Sequence, residues 1–209
     1  MEAERLLQAG ALGEPRLIRT LISGSEVERL SDTTSWKGRR DGTIGGAIFD
    51  AGPHSFYLLK WLFGAIAGVQ AVQHRLIPAS EVKDHAVVAG RLASGAIFTT
   101  EYTFTAEIPW GERCEMYGSE GALIIDQLYN PPALHYRHAH DYEPIPLSTV
   151  PYDPRGWKTV SIAAGVADFV HAIADARPPR VDPLDGYYTL LVVEAAYASV
   201  AASGNFISM

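Results

Sequence analysis

A single cysteine in 209 residues, Cys114, leaves no pair for an internal disulfide and no Cys-rich zinc site. It falls in the alternating run Arg113 to Tyr117, where a buried core thiol is expected rather than a nucleophile. Uninterrupted apolar stretches of about 18 residues, the length a membrane helix needs, are also missing. The opening MEAERLLQAG is acidic and amphipathic, unlike the basic-then-apolar order of a secretory signal. Lys and Arg number 17 against 24 Asp and Glu, a net charge of −7, and they form no stripe. That excludes a general nucleic-acid role, because phosphate binding needs clustered cations. The one compact basic run, Lys37, Arg39 and Arg40, is expected to be a solvated loop. No Gly-x-Gly-x-x-Gly follows a strand and no βαβ repeat occurs, so the usual dinucleotide cradle is lacking. The expectation is a cytoplasmic protein with neither membrane nor nucleic-acid partners.

Hydrophobic residues make up 47% and charged residues 20%, the balance of an ordinary globular core. Residues 2–9 read as a short helix ending at Gly10, and Arg16 to Ser23 alternates as a strand does. Residues 24–43 are polar and read as a long loop; loops of that length are often functional. Residues 44–63 have a helical apolar pattern, opened by Gly45-Gly46, read as a flexible pair. Strand candidates follow at 69–77, 85–92, 96–104, 113–117, 122–126 and 133–137, with hairpin signals at Ala93-Ser94-Gly95 and Gly118-Ser119-Glu120-Gly121. Two helices, 159–176 and 184–203, close the chain, the second capped by Asp182-Pro183. Strands joined by tight turns and flanked by helices imply an α+β domain over residues 1–209. Its open sheet should be predominantly antiparallel or mixed, with helices on one face. The uncovered face is a natural surface for a homo-oligomer, a dimer or tetramer.

The segment richest in chemistry is Gly45-Gly46-Ala47-Ile48-Phe49-Asp50-Ala51-Gly52-Pro53-His54. Asp50 and His54 stand four apart, so a helix puts them on one face, about one turn apart, and Tyr57 and Trp61 continue that face. An imidazole beside a carboxylate can take a proton from a hydroxyl, with the Asp orienting the ring or binding a neighbouring hydroxyl. The alternative is a half-buried His capped by an Asp on a structural helix. Interior Gly52 and Pro53 argue against stability as the purpose, since glycine costs a helix about 1 kcal/mol and proline removes a backbone donor. Elsewhere His135, His138 and His140 gather near Asp141, where a solvated hairpin end is expected rather than a metal site. Trp36, Trp110 and Trp157 stand in loops or at element ends, where stacking on a sugar face and simple loop packing are equally open.

Gly45-Gly46, Asp50, Gly52, His54 and Trp61-Leu62-Phe63-Gly64 resemble the signature of the C-terminal domain of the Gfo/Idh/MocA oxidoreductases. The likeness runs over nearly the whole chain, through Leu6–Pro15, Lys83-Asp84-His85-Ala86, Tyr117–Leu123, Asp168-Phe169-Val170, Asp182–Gly186 and Glu194–Tyr197. In that family an N-terminal Rossmann domain binds NAD or NADP and supplies a lysine from a Glu-Lys-Pro motif, which this chain lacks. The resemblance implies a substrate-binding and oligomerisation domain. Asp50 and His54 would be catalytic, and Tyr57, Trp157 and Lys158 would lie beside a sugar or cyclitol. This chain alone would bind no cofactor; NAD(P) would come only with a separate or missing Rossmann domain, which a cofactor-domain partner could supply. The rival expectations are a cofactor-independent epimerase or lyase using Asp50 and His54, and a non-catalytic binding or assembly module.

Overall fold

The computed structural model describes residues 2–43, 45–108, 110–126, 133–138 and 157–209. The elements are α1 (Glu2–Gln8), β1 (Pro15–Ser23), α2 (Val27–Ser31), a 3-10 turn (Trp36–Gly38), α3 (Arg40–Thr43) and α4 (Ala47–Phe63), followed by β2 (Ile66–His74), β3 (His85–Leu92), β4 (Ile97–Thr103), β5 (Gly111–Gly118), β6 (Gly121–Asp126) and β7 (Ala133–His138), and then α5 (Trp157–Ala174), α6 (Pro183–Ala201) and β8 (Ile207–Ser208). The described strands form one open sheet in the order β7-β6-β5-β1-β4-β3-β2-β8. Its central pair, β1 with β4, is parallel, registering Leu17 on Ile97 and Ser23 on Thr103. The other described pairings are antiparallel. The fold is therefore the expected α+β class with a mixed, mostly antiparallel sheet.

Period-two alternation decides which face is covered. Ile18, Thr20 and Ile22 of β1 and Phe98, Thr100 and Tyr102 of β4 point into the core. On that face lie α4, through Ile48, Ala51, Phe56 and Leu59, and α6, through Val192, Val193 and Ala196. The Ser199 hydroxyl accepts the Ala71 amide at 2.9 Å and donates to the Asn205 carbonyl at 2.7 Å, fixing α6 to β2. Asp182 caps α6 reciprocally with Asp185, as the Asp-Pro signal implied. Cys114 is buried as expected, and burial pushes its thiol up to about 12. The opposite face keeps Leu17, Val72, Val87 and Ile97 exposed around the Arg19–Glu101 ion pair at 2.8 Å.

Several expectations need correction. Residues 24–43 are not one loop: α2, the 3-10 turn and α3 lie within them. The strand expected at 69–77 runs from Ile66 to His74 instead. It stops because the amides of Leu76 and Ile77 donate to the carboxylate of Asp84 rather than to a neighbouring strand. Among the described residues, α5 leaves Ile162, Val166, Phe169, Val170 and Ile173 exposed. No helix among the described residues is long and apolar enough to cross a membrane.

Candidate functional site

The site is built around the start of α4. Gly46 has φ 71° and ψ −142°, a region open essentially to glycine alone, and a Cβ there would run into the Lys83 carbonyl. That carbonyl accepts the Ala47 amide at 2.8 Å. A Cβ on Gly45 would strike the hydroxyl of Tyr197, which donates to the Gly45 carbonyl at 2.6 Å. Burial pushes that phenol up to about 12, so it remains a hydrogen-bond donor. The glycine pair expected to be flexible is therefore pinned between α6 and the β2–β3 connection. Close approach, not freedom, is what requires glycine here.

Asp50 lies in the first turn of α4, where a carboxylate also complements the helix dipole. Its side chain is 31% exposed, and its Oδ2 lies 3.1 Å from the ammonium of Lys37. Lys37 is buried, contrary to the solvated loop expected for it. Its side chain is 9% exposed and its Nζ also reaches Glu26 Oε1 at 3.2 Å. The ammonium stands over the rings of Phe104 (5.2 Å) and Trp110 (5.6 Å), which pack on each other at 5.4 Å. Two carboxylates and two aromatic faces replace the hydration that burial removes. Arg39 and Arg40 of the same run are exposed, as expected.

His54, one turn on, is exposed at the wall of a cavity of about 130 Å³ shared with Thr20, Ser55, Glu112, Arg113 and Cys114. Thr20 donates to Ser55 at 3.1 Å on the buried side of that cavity. No hydrogen bond joins Asp50 to His54; the helical spacing places them on neighbouring turns, and Asp50 is turned to Lys37. Tyr57 stacks on Trp61 with ring centroids 6.3 Å apart. Burial, then the nearby Asp185 carboxylate, raises the Tyr57 phenol above its ordinary range. Asp185 is itself paired with Lys60. The stripe Asp50–His54–Tyr57 thus addresses three neighbours in turn: Lys37, the β1–β5 edge and the start of α6.

Trp157 and Lys158 open α5, but their side chains fall outside the described residues, as do those of His135 and His138 and the whole of His140 and Asp141. Trp36 is exposed, whereas Trp110 belongs to the floor under Lys37. Sequence reasoning missed Lys37 and Glu26 as members of the site. No periodic signal ties either to Asp50; the tertiary fold brings them together.

Two of the described helix starts are closed within the chain. The start of α4 is closed by Tyr197 and the Lys83 carbonyl, and the start of α6 carries its own carboxylate cap.

The sequence model of the GFO/IDH/MocA C-terminal domain matches residues 1–124, and the chain belongs to that family. It is 27% identical over 135 residues to the dTDP-3,4-didehydro-2,6-dideoxy-alpha-D-glucose 3-reductase of Streptomyces violaceoruber, an alignment covering 62% of this chain and 36% of the reductase. The WlbA dehydrogenase of Bordetella pertussis, solved with NADH and UDP-GlcNAcA, superposes with a TM-score of 0.78 at 18% identity, over 100% of this chain and 59% of that one. A levoglucosan dehydrogenase solved with NADH and levoglucosan gives 0.78 at 21% identity, over 99% and 62%. The chain thus spans about a third of the curated relative and about six tenths of these solved structures.

Proposed function

We propose that this domain is the substrate-binding half of an NAD(P)-dependent oxidoreductase acting on a secondary hydroxyl of a sugar or cyclitol. The observation that carries the reading is the first stretch of α4: Asp50 half-buried with its carboxylate fixed, and His54 exposed beside a cavity that Thr20, Ser55 and Glu112 also line. His54 takes the hydroxyl proton as the carbon is oxidised, and Asp50 accepts a hydrogen bond from an adjacent hydroxyl. Tyr57, Trp157 and Lys158 are the further residues assigned to the ligand. The nicotinamide, which accepts the hydride, belongs to a dinucleotide-binding domain outside these 209 residues. The sugar-related substrates named for the reductase, the WlbA dehydrogenase and the levoglucosan dehydrogenase support the ligand class.

The bare sheet face supports self-association. Leu17 and Ile97 line a groove of about 440 Å³, and Val72 and Val87 another of about 340 Å³. Such a surface suits a second copy related by a two-fold axis.

The test is a titration of the isotope-labelled chain with levoglucosan, followed by amide shifts. Perturbations centred on Asp50 to Tyr57 are expected. Perturbations confined elsewhere, or none up to the solubility of the sugar, would overturn the assignment of the site.

A further inference from the structure

We propose that Lys37 is a positioning residue: its buried ammonium fixes the carboxylate of Asp50 for a substrate hydroxyl and keeps it off the imidazole of His54. This rests on the reading of Asp50 and His54 as the working pair.

Lysine is almost never this buried unless it is paired, so its partners explain its place. Glu26 alone would neutralise it. Glu26 is fully engaged, with Oε1 on Lys37 and Oε2 on Arg29 at 3.2 Å, and its side chain is only 14% exposed. Asp50 differs in each respect. It is more exposed, only its Oδ2 is engaged, and its Oδ1 accepts no hydrogen bond from a described residue. Arg29, Glu26, Lys37 and Asp50 therefore form a neutral chain of charges with one end anchored in α2 and the other open at α4.

The Phe104 and Trp110 rings beneath the ammonium leave it little room to follow Asp50 elsewhere. The ammonium, 3.1 Å from Oδ2, holds the carboxylate, and no hydrogen bond joins Asp50 to His54. The same packing argues against Lys37 as a nucleophile: its Nζ is closed in by Glu26, Asp50, Phe104 and Trp110. Its role is exerted through Asp50, and it decides which of two roles Asp50 takes. Asp50 binds a hydroxyl through Oδ1, and His54 works without a carboxylate behind it.

The test compares the full chain with its Lys37→Met, Lys37→Arg and His54→Gln variants, and with a Lys37→Met/Glu26→Gln double variant that leaves no surplus carboxylate on the α2 side. The first readout is the Asp50 side chain, by its carboxyl carbon shift and χ1 couplings. One rotamer is expected in the wild type, in His54→Gln and in Lys37→Arg, with averaging in both Met variants. An averaged rotamer in the wild type, a rotamer unmoved by Lys37→Met, or one altered by His54→Gln would overturn the proposal, whether or not any sugar binds. The second readout is levoglucosan affinity. In the Met variants it should weaken about tenfold, the scale of one hydrogen bond to a charged group, and Lys37→Arg should recover most of it. Wild-type affinity in a folded double variant would make Lys37 purely structural. Failure of the wild type to bind the sugar would count against the functional reading alone, since the rotamer comparison still decides the role of Lys37.

Discussion

Replacing Asp84 with Ala should damage both fold and site, and the structure supplies the magnitude. The Asp84 side chain is fully buried. Its carboxylate accepts the Leu76 amide at 2.9 Å, the Ile77 amide at 2.8 Å and the Nδ1 proton of His85 at 2.7 Å. His85 Nε2 in turn lies within hydrogen-bond distance of the hydroxyls of Thr103 at 2.8 Å and Thr105 at 3.0 Å. One carboxylate thus ties the end of β2 to β3 and, through His85, to the end of β4. Removing one member of a buried charged network costs about 3–5 kcal/mol, which in a chain of this size corresponds to a fall of about 6–20 °C in Tm.

Acidity should reveal the same interaction. Burial on its own would raise the Asp84 carboxyl, but the His85 proton and the Ile77 and Leu76 amides outweigh it, and the group lies below its ordinary 3.8. A depressed folded value means the stabilisation is complete above the ordinary carboxylate range and is lost as pH falls through the folded value. The stability gap between wild type and Asp84→Asn, by urea titration, should therefore be constant near neutrality and narrow below about pH 4. The neighbouring Lys83 carbonyl holds the first amide of α4, so Asp84→Ala should also loosen the Asp50–Lys37 pair. A Tm for Asp84→Ala within about 2 °C of wild type, less than 1 kcal/mol for a chain of this length, would refute the reasoning.

Substituting His54 by Asn in the enzyme assembled with its cofactor domain should lower kcat by about two to four orders of magnitude while sugar binding survives; a kcat near wild type with a sharply lower Tm would make His54 structural. Calorimetry of the chain alone with NAD or NADP should show no one-to-one complex at micromolar concentrations, because the sequence carries no Gly-x-Gly-x-x-Gly turn and the starts of α4 and α6 are closed. Sedimentation at tens of micromolar should give at least a dimer, shifted toward 22.7 kDa by Ile97→Glu with Val87→Glu; a wild-type monomer would remove the sheet face as an interface.

Elements governed by local rules were legible in the sequence. β3 occupies the run expected for it, because its alternation coincides with ladder pairing on both sides. α6 begins at the Asp182-Pro183 cap, which is local chemistry. The errors arose where distant groups intervened. The end of β2 was misplaced because Asp84, on a later segment, captures two of its amides. The short helices within 24–43 were missed because they are only three to five residues long, below the reach of a helical period, and rest on local bonds such as Ser35 to the Lys37 amide. Lys37 was misread for a related reason: a polar run rich in cations looks solvated until Phe104 and Trp110 are folded over it.

The site shows how far spacing alone can go. An interval of four on a helix guarantees that Asp50 and His54 share a face, and both are where that rule puts them. It does not choose their hydrogen-bond partners. That choice is energetic, and a buried ammonium 3.1 Å from the carboxylate settles it in favour of Lys37. The two side chains are consequently free to do different things to one ligand. On the proposed reading, the carboxylate keeps one oxygen for a hydroxyl it only has to bind, and the exposed imidazole, beside a cavity it shares with Thr20, Ser55 and Glu112, takes the proton. A polyol bound across the two would present adjacent hydroxyls to groups with separate tasks. That division follows from Glu26 and Lys37, which the spacing of Asp50 and His54 could not reveal.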